Sequence, residues 1–431
     1  MSRGAADHRP SLVTRHVRQN GRERLPACGP TAFYETFVTR PGRSMIREIP
    51  RRHVFFLTLY FGVGIWLFGM FVKFPHGLLT ASDFPRLEDY LKLCANPFTR
   101  DVNLILAYRI SVPIIAWVLH LPPAISALLP IFLLIFSYAL IFYVVLARTA
   151  DSRFSVLMVA GLSLTFFALW TNRWLGSPDS FSHLVSALAL ISSNPFLLAL
   201  FCIVGTLNDE RWLFSVPLLL FWHSTNFAKA GTFSSITAAR TGIGLSAGIL
   251  FVLFIRYALT IGWLGPGIAE PEVYKGIQSA LFGFYPLNST WPLFALNIFM
   301  GFGWYWLAVI KLITRQLAST TPILGCFLGF FVLLASLSTI VVEDVSRSVG
   351  FLFLVVVIAS VYDYGINPAS ANLWWRNLLI AAAITPTIYY IGFSGAAFIP
   401  FPIDLINHLV HQYAGVDLLQ ALKSWFYHKS P

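Results

Sequence analysis

The acidic residues of this sequence fall mostly into short polar turns between long apolar segments. Asp83 and Asp89 share the first of these turns, Asp179 and Glu210 lie in two later ones, and Asp344 lies in a fourth. A charge costs about 2.5–3.5 kcal/mol at the centre of a membrane helix, so charges at helix ends usually face a wet cavity. Carboxylates in such a cavity can take a proton from a substrate hydroxyl. We therefore predict a shared site that serves a substrate, with Asp83 and Asp89 in its first turn.

Two arginines add the chemistry of anion binding. Arg347 follows Asp344 by three residues, and Arg109 stands at the head of a short apolar stretch. A guanidinium group offers a planar fork that matches phosphate, and a neighbouring carboxylate can hold that fork in place. The same residues also allow a plain i,i+3 ion pair between Asp344 and Arg347, and a snorkelling anchor at Arg109. The sequence predicts substrate binding by both arginines and leaves these alternatives open.

The acidic candidates also have purely structural interpretations. Asp83 precedes a Phe-Pro pair and would start a helix there, while Asp179 in Ser-Pro-Asp-Ser would cap one. Glu210 could pair with its neighbour Arg211 in an interfacial turn. We predict substrate-binding roles for Asp179 and Glu210, with these alternatives unresolved.

Composition defines the elements that must position these turns. The 431 residues are 57% hydrophobic and 11% charged, with a mean hydropathy of +0.70, far from a soluble domain. About 20 apolar residues cross the hydrocarbon core as a helix. The sequence therefore predicts an all-α polytopic integral membrane protein of about 10–12 membrane helices, including short or re-entrant ones.

Charge distribution predicts the domain organisation. Residues 1–52 hold eleven Arg and four acidic residues, which is most of the net charge of +11. We predict that this segment is a disordered cytoplasmic arm, with Met45 as an alternative start, and that it contacts no nucleic acid. Residues 53–398 form the predicted transmembrane core, and within it residues 74–107 are the first external loop. Residues 399–431 are predicted to form an interfacial tail. The four scattered cysteines support neither a disulfide framework nor a zinc site.

Three stretches are too short to span a membrane alone. The stretch 110–121 is interpreted as re-entrant or interfacial, because a full crossing would place Arg148 and Arg153 outside. Residues 182–192 and 195–207 are predicted to form a helical hairpin broken at Ser193-Asn194-Pro195, since proline ends a helix at the preceding residue. The hairpin would return Glu210 to the face of Asp179. A single 24-residue span is the rival interpretation.

Two other sets of residues are interpreted as packing. His183 and His223 lie on apolar stretches, where a lone histidine is more often part of the core than a catalyst. Gly242, Gly244 and Gly248 would let two helices approach closely.

The layout of residues 54–228 resembles the GT-C class of membrane glycosyltransferases. The resemblance rests on an acidic first outer loop, Tyr-Arg-Ile-Ser-Val-Pro-Ile-Ile-Ala-Trp-Val-Leu from Tyr108, Trp-Thr-Asn-Arg-Trp-Leu-Gly-Ser-Pro-Asp-Ser from Trp170, and a short helix pair that ends in a charged turn. It is nearest to the layout of the GPI mannosyltransferase I type and its bacterial relatives. The later Glu-Asp-Val-Ser-Arg from Glu343 is similar to an Asp-x-x-Arg turn of many bacterial members.

The resemblance implies sugar transfer from a polyprenyl-phosphate donor at the external membrane face, with inversion at the anomeric carbon. It also implies a catalytic acid in the first loop, where Asp83 is the expected general base or metal-assisted acceptor clamp and Asp89 is the reserve candidate. Two departures leave the use of a divalent cation (Mg or Mn) and the acceptor class open: Asp83 stands without an Asp-x-Asp partner, and no large soluble domain follows the membrane core. The expected partners are the donor lipid, membrane lipids and a lipid, glycan or protein acceptor. The expected location is a bacterial inner (plasma) membrane, with the N-terminus cytoplasmic.

Two other function classes remain as alternatives. A carrier or flippase of a lipid-linked or anionic substrate predicts broken helices in both halves of the chain, and only the break at Asn194-Pro195 is visible in the sequence. A polysaccharide polymerase or ligase typically has a large late outer loop rich in Arg and His. The loop 265–290 offers only Lys275.

Overall fold

The structure is a computed structural model of the chain. It describes residues 51–73, 84–99, 102, 109–173, 177–226, 232–263, 295–296, 298–319, 322–338, 345–385 and 415. Nearly all of the predicted N-terminal arm and C-terminal tail lies outside these ranges. The described residues are helical apart from turns and one two-residue antiparallel ladder, which confirms the predicted all-α class.

Within the described residues, the first half of the chain contributes ten helices. They are α1 (Arg51–Lys73), α2 (Phe84–Ala95), α3 (Ser111–Val118), α4 (Pro123–Thr149), α5 (Ser152–Ser163), α6 (Phe166–Arg173), α7 (Asp179–Ile191), α8 (Pro195–Asn208), α9 (Ser215–Ser224) and α10 (Ser235–Thr260). A 3-10 turn, Glu210–Phe214, precedes α9, and the strands β1 (Thr225–Asn226) and β2 (Thr232–Phe233) separate α9 from α10.

The second half contributes five more helices within the described ranges. They are α11 (Trp306–Leu317), which follows the 3-10 turn Gly303–Tyr305, α12 (Pro322–Ser338), α13 (Val345–Gly350), α14 (Phe353–Ile366) and α15 (Pro368–Ile384).

Among the described residues, four helical segments are long and apolar enough to cross a membrane. They are Phe56–Lys73, Pro123–Thr149, Ser235–Leu259 and Ile298–Leu317. Five shorter apolar helices of 10–17 residues accompany them in the described part of the chain. The chain is therefore a polytopic helical membrane protein. α3 has eight residues and lies within the predicted stretch 110–121.

The predicted hairpin is present in the structure. α7 and α8 are separate helices, and the side chain of Asn194 caps α8 by accepting a hydrogen bond from the backbone N–H of Phe196 at 2.9 Å. At the open end, Asn208 Nδ2 donates to the carbonyl of Pro178 at 2.8 Å. The two ends of the hairpin therefore meet, and the single 24-residue span is wrong.

Several predicted helices differ from the observed ones. The hydropathy of residues 154–170 predicts one continuous span, but the helix is divided at Leu164–Thr165. There the hydroxyls of Ser163 and Thr165 donate to the carbonyls of Ala160 and Leu162 and compete with the helical ladder. Hydropathy also predicts a span over residues 291–310, and this stretch contains a 3-10 interruption at Gly303–Tyr305.

Hydropathy predicts a last span over residues 378–398, which begins too late. α15 begins ten residues earlier, at Pro368, because Asn367 caps the helix by accepting from the N–H of Ser370 at 3.1 Å and proline suits the first helical position. The polar residues of its first two turns hid this start from a hydropathy argument. Residues 386–398 lie outside the described ranges.

α14 is the centre of the molecule. Every residue from Phe353 to Asp363 is buried, which makes α14 apolar all round and surrounded by other helices. Ser348 lies just before the start of α14, and Asp363 lies close to its end. About 20 Å of helix therefore separates two polar regions, one at each end.

Two interrupted helices, α5–α6 and α13–α14, pack together beside the start of α14. The break between α5 and α6 lies against the break between α13 and α14, since a Cβ added to Gly350 would come within 3.3 Å of the backbone of Phe166. The ring of Phe167 packs on that of Phe353 with centroids 4.6 Å apart. An interrupted helix from the first half of the chain thus packs against one from the second half.

Candidate functional site

The open end of the α7–α8 hairpin carries a buried cluster of charges centred on Asp209. Its carboxylate accepts from Arg211 Nε at 2.7 Å and from Arg211 Nη2 at 2.5 Å, a bidentate pair, and lies 3.2 Å from Arg109 Nη2. The backbone N–H of Arg211 also donates to it at 3.0 Å. Asp209 is fully buried, so two guanidinium groups and one amide replace its hydration.

Arg109 reaches the cluster because α3 is tied to the end of α8. The backbone N–H of Ile110 donates to Leu207 at 3.1 Å, and Ser111 Oγ donates to the carbonyl of Val204 at 2.8 Å. Arg109 Nη2 then lies 3.7 Å from Glu210 as well as close to Asp209. A residue far away in sequence is thus fixed beside the charged turn.

Arg211 joins three further elements. Its Nη2 lies 3.7 Å from Asp179 at the start of α7, and its Nη1 donates to Ser348 Oγ of α13 at 3.2 Å. Its guanidinium carbon also lies 4.6 Å from the ring centroid of Phe351. Arg211 therefore holds the hairpin against the break before α14.

The cluster opens toward its Glu210 side. Glu210 pairs with Arg256 of α10 at 3.3 Å, and their side chains are 47% and 31% exposed, whereas Asp209 and Arg211 are buried. We call Arg109, Asp179, Asp209, Glu210, Arg211 and Arg256 the charge cluster. It holds three arginines and three carboxylates, so its own charges balance.

Three of the predicted site residues come together in this cluster: Arg109, Asp179 and Glu210. Asp89 does not join them. It lies on α2, 3.9 Å from Lys92 one turn along the same helix, as expected of a solvated helical face.

The remaining predicted residues are described only in part or not at all. Asp83 and Asp344 lie outside the described residues. Arg347 belongs to α13 by its backbone, but its side chain is also outside the described part. Its neighbour Ser348 contacts Arg211, so the backbone at Arg347 lies next to the charge cluster. The roles predicted for these three residues stay predictions.

Sequence reasoning missed the centre of the site. Asp209 was passed over in favour of Glu210, and Arg211 was considered only as its partner in a local turn. Arg211 instead pairs with Asp209 and reaches Ser348, 137 residues away. Arg256 gave a usable signal, because a cation inside a predicted membrane helix usually has a partner in the protein interior.

The buried His183 and the partly buried His223 lie in packed surroundings, as predicted. His183 is enclosed by the rings of Phe167, Phe351 and Phe353, with centroids 4.5, 5.0 and 5.4 Å away. His223 Nε2 lies 2.8 Å from the carbonyl of Ala189.

The donor set of the charge cluster does not fit a divalent cation. A cation site of this kind needs carboxylates that converge on one point, whereas Asp179, Asp209 and Glu210 each face an arginine. Among the described residues, no group of three or more His, Cys, Asp or Glu side chains is arranged to hold a metal. We derive no step that uses one.

Fold and site together define a polytopic helical membrane protein with a buried charge cluster at one end of its helices. Comparisons of the chain with models of known protein families, with curated proteins and with solved structures found no match.

Proposed function

We propose that this protein is a membrane glycosyltransferase that moves a sugar from a polyprenyl-phosphate donor to a lipid, glycan or protein acceptor at the external face of a bacterial inner membrane. The observation that supports the proposal is the convergence of separate segments on the charge cluster. Arg109 comes from the start of α3, Asp179 from the start of α7, Glu210 from the turn after α8, and α13 brings the backbone of Arg347 beside them. These are the segments that carry the resemblance to the GT-C class.

The geometry suits a phosphate that arrives from the membrane surface. Arg211 and Arg109 are already oriented by Asp209, so little side-chain entropy remains to be lost when they meet an anion. Arg256 and Glu210 are the accessible members, and a phosphate that displaces Glu210 from Arg256 would enter the cluster there. Fixed guanidinium groups stabilise the charge that develops on a departing phosphate.

In the proposed reaction, an acceptor hydroxyl attacks the anomeric carbon of the sugar. A new bond forms between the hydroxyl oxygen and this carbon, while the bond from the carbon to the phosphate oxygen breaks and its electron pair leaves with the polyprenyl phosphate. The carboxylate of Asp83 takes the hydroxyl proton as general base. The charge cluster holds the leaving phosphate, and Asp179 orients the sugar or the acceptor.

Sugar transfer by the purified protein in lipid nanodiscs tests the proposal. The assay offers a panel of polyprenyl-phosphate sugars with a membrane extract as acceptor. Asp83→Asn should lower the rate by about 10²- to 10⁴-fold, the usual contribution of a general base. Glu88→Gln is the matched control, because Glu88 lies on nearby α2 with a largely exposed side chain. Undiminished transfer by Asp83→Asn would remove that residue from the mechanism, and no transfer from any donor would contradict the proposal.

A carrier or flippase for a lipid-linked or anionic substrate is the second candidate. The sequence shows a break at Asn194-Pro195 and none in the second half of the chain. The structure adds a break in the second half, at Phe351–Leu352, which packs against the break at Leu164–Thr165. Interrupted helices that meet in the core are typical of carriers. Movement of a labelled polyprenyl phosphate across proteoliposome membranes, without breakdown of the donor, would favour this candidate over the enzyme.

A further inference from the structure

A second group of charges lies at the opposite end of α14 from the charge cluster. Lys311 Nζ and Arg315 Nη1, one turn apart on α11, approach the same carboxylate oxygen of Asp363 at 2.6 and 2.7 Å. Asp363 is buried, while the two cations are partly exposed, at 28% and 38%. We call Lys311 and Arg315 the basic pair.

The basic pair carries a positive charge that its partner does not neutralise. Two cations share one carboxylate, in contrast to the charge cluster, where three arginines meet three carboxylates. The neighbouring acid Asp151 is engaged elsewhere, because it accepts hydrogen bonds from Tyr364 and Asn372 at 3.1 Å each. Within the described residues, the other N–H groups of Arg315 have no partner, so they remain available to an anion.

The surroundings of the basic pair are apolar and suited to lipid. On the same helix, the side chains of Leu307, Ile310 and Leu317 are exposed. Lys311 Nζ lies 5.3 Å from the ring centroid of Trp374. Tryptophan commonly lies at the level of the lipid headgroups, and basic pockets between membrane helices bind anionic headgroups. A soluble anion would use the cations only, whereas a phospholipid would use the apolar side chains as well.

We propose that the basic pair is a binding site for the headgroup of an anionic phospholipid. The lipid phosphate contacts Lys311 and Arg315, and the acyl chains lie along the exposed apolar side chains of α11. The site is separate from the charge cluster and does not depend on the glycosyltransferase proposal.

Retention of added lipid by the purified full-length protein in detergent, measured by native mass spectrometry, tests this proposal. The probes are phosphatidylglycerol and phosphatidylcholine with identical acyl chains. We expect wild-type protein to retain phosphatidylglycerol preferentially. One basic residue near a membrane surface changes affinity about fivefold, so Lys311→Gln should weaken retention by about that factor. Arg376→Gln, which removes an exposed arginine of α15, should leave retention unchanged.

A third variant separates lipid binding from a purely structural ion pair. Asp363→Asn removes the carboxylate that competes for the basic pair while keeping the shape of the side chain. Retention of phosphatidylglycerol by this variant should equal or exceed that of wild type. Equal retention of the two lipids by wild type would overturn the proposal. So would unchanged retention in Lys311→Gln, or a loss in Asp363→Asn similar to that in Lys311→Gln.

Discussion

The stability of the fold should depend on Asp209 more than on any other carboxylate of the charge cluster. Asp209→Asn keeps the side-chain shape but removes the charge that Arg109 and Arg211 share. Breaking a buried ion pair from one side costs about 3–5 kcal/mol, because the remaining charge stays buried without compensation. Each arginine retains a second carboxylate at 3.7 Å, Glu210 for Arg109 and Asp179 for Arg211. We therefore expect a loss at the lower end of that range, about 3 kcal/mol.

Reversible unfolding by SDS in mixed micelles, followed by tryptophan fluorescence, measures this change. Asp89→Asn is the control, since the Asp89 carboxylate lies 3.9 Å from Lys92 on a partly exposed helical face, where a pair contributes about 1 kcal/mol or less. If Asp209→Asn unfolds within about 1 kcal/mol of wild type, the assignment of Asp209 as the centre of the cluster is wrong.

Two further predictions concern helix packing and capping. Gly244→Ala should destabilise the protein by about 1–3 kcal/mol in the same unfolding assay, because the new Cβ would lie 2.5 Å from the carbonyl oxygen of Pro195. Gly242→Ala is the control: a Cβ there would meet nothing within 4 Å, so this variant should be neutral or stabilising. Asp151→Ala should cost about 1 kcal/mol at pH 7, because Asp151 caps α5. Burial alone would raise the pKa of Asp151, but hydrogen bonds from the backbone N–H of Phe154 and from Asn372 and Tyr364 outweigh it and lower the pKa. The stability that Asp151 adds is therefore fully present above about pH 4, the ordinary pKa of aspartate, and is lost as the pH falls through the lower pKa of the folded state. A stability difference between wild type and Asp151→Ala that grows on acidification would contradict this.

The elements that follow from local chemistry were predictable from the sequence. The hairpin break follows from Asn194-Pro195, since the asparagine caps and the proline starts the second helix. The close approach of α10 to α8 follows from small residues, although only Gly244 and Gly248 make it and Gly242 does not. The Asn367-Pro368 start of α15 carried the same kind of signal, and hydropathy alone obscured it.

The pairings within the charge cluster were not predictable in the same way. Which of two adjacent acids points inward depends on the turn after α8, where Asp209 ends the helix and Glu210 begins a 3-10 turn. That turn places Asp209 in the interior and Glu210 at the opening. The contacts of Arg211 with Ser348 and of Arg109 with Asp209 join segments about 100 residues apart or more, and no local pattern in one sequence specifies such partners.

We propose that the charge cluster receives the phosphate of a polyprenyl-phosphate donor, and photo-crosslinking can locate where that phosphate binds. The probe is a polyprenyl phosphate with a diazirine on the first isoprene unit, added to the wild-type protein in nanodiscs, and the adducts are located by peptide mass spectrometry. We expect adducts in peptides that contain Asp179, Glu210 or α13, and we expect unlabelled donor to suppress these adducts. Adducts confined to the peptides of the basic pair, or labelling that unlabelled donor does not reduce, would contradict it.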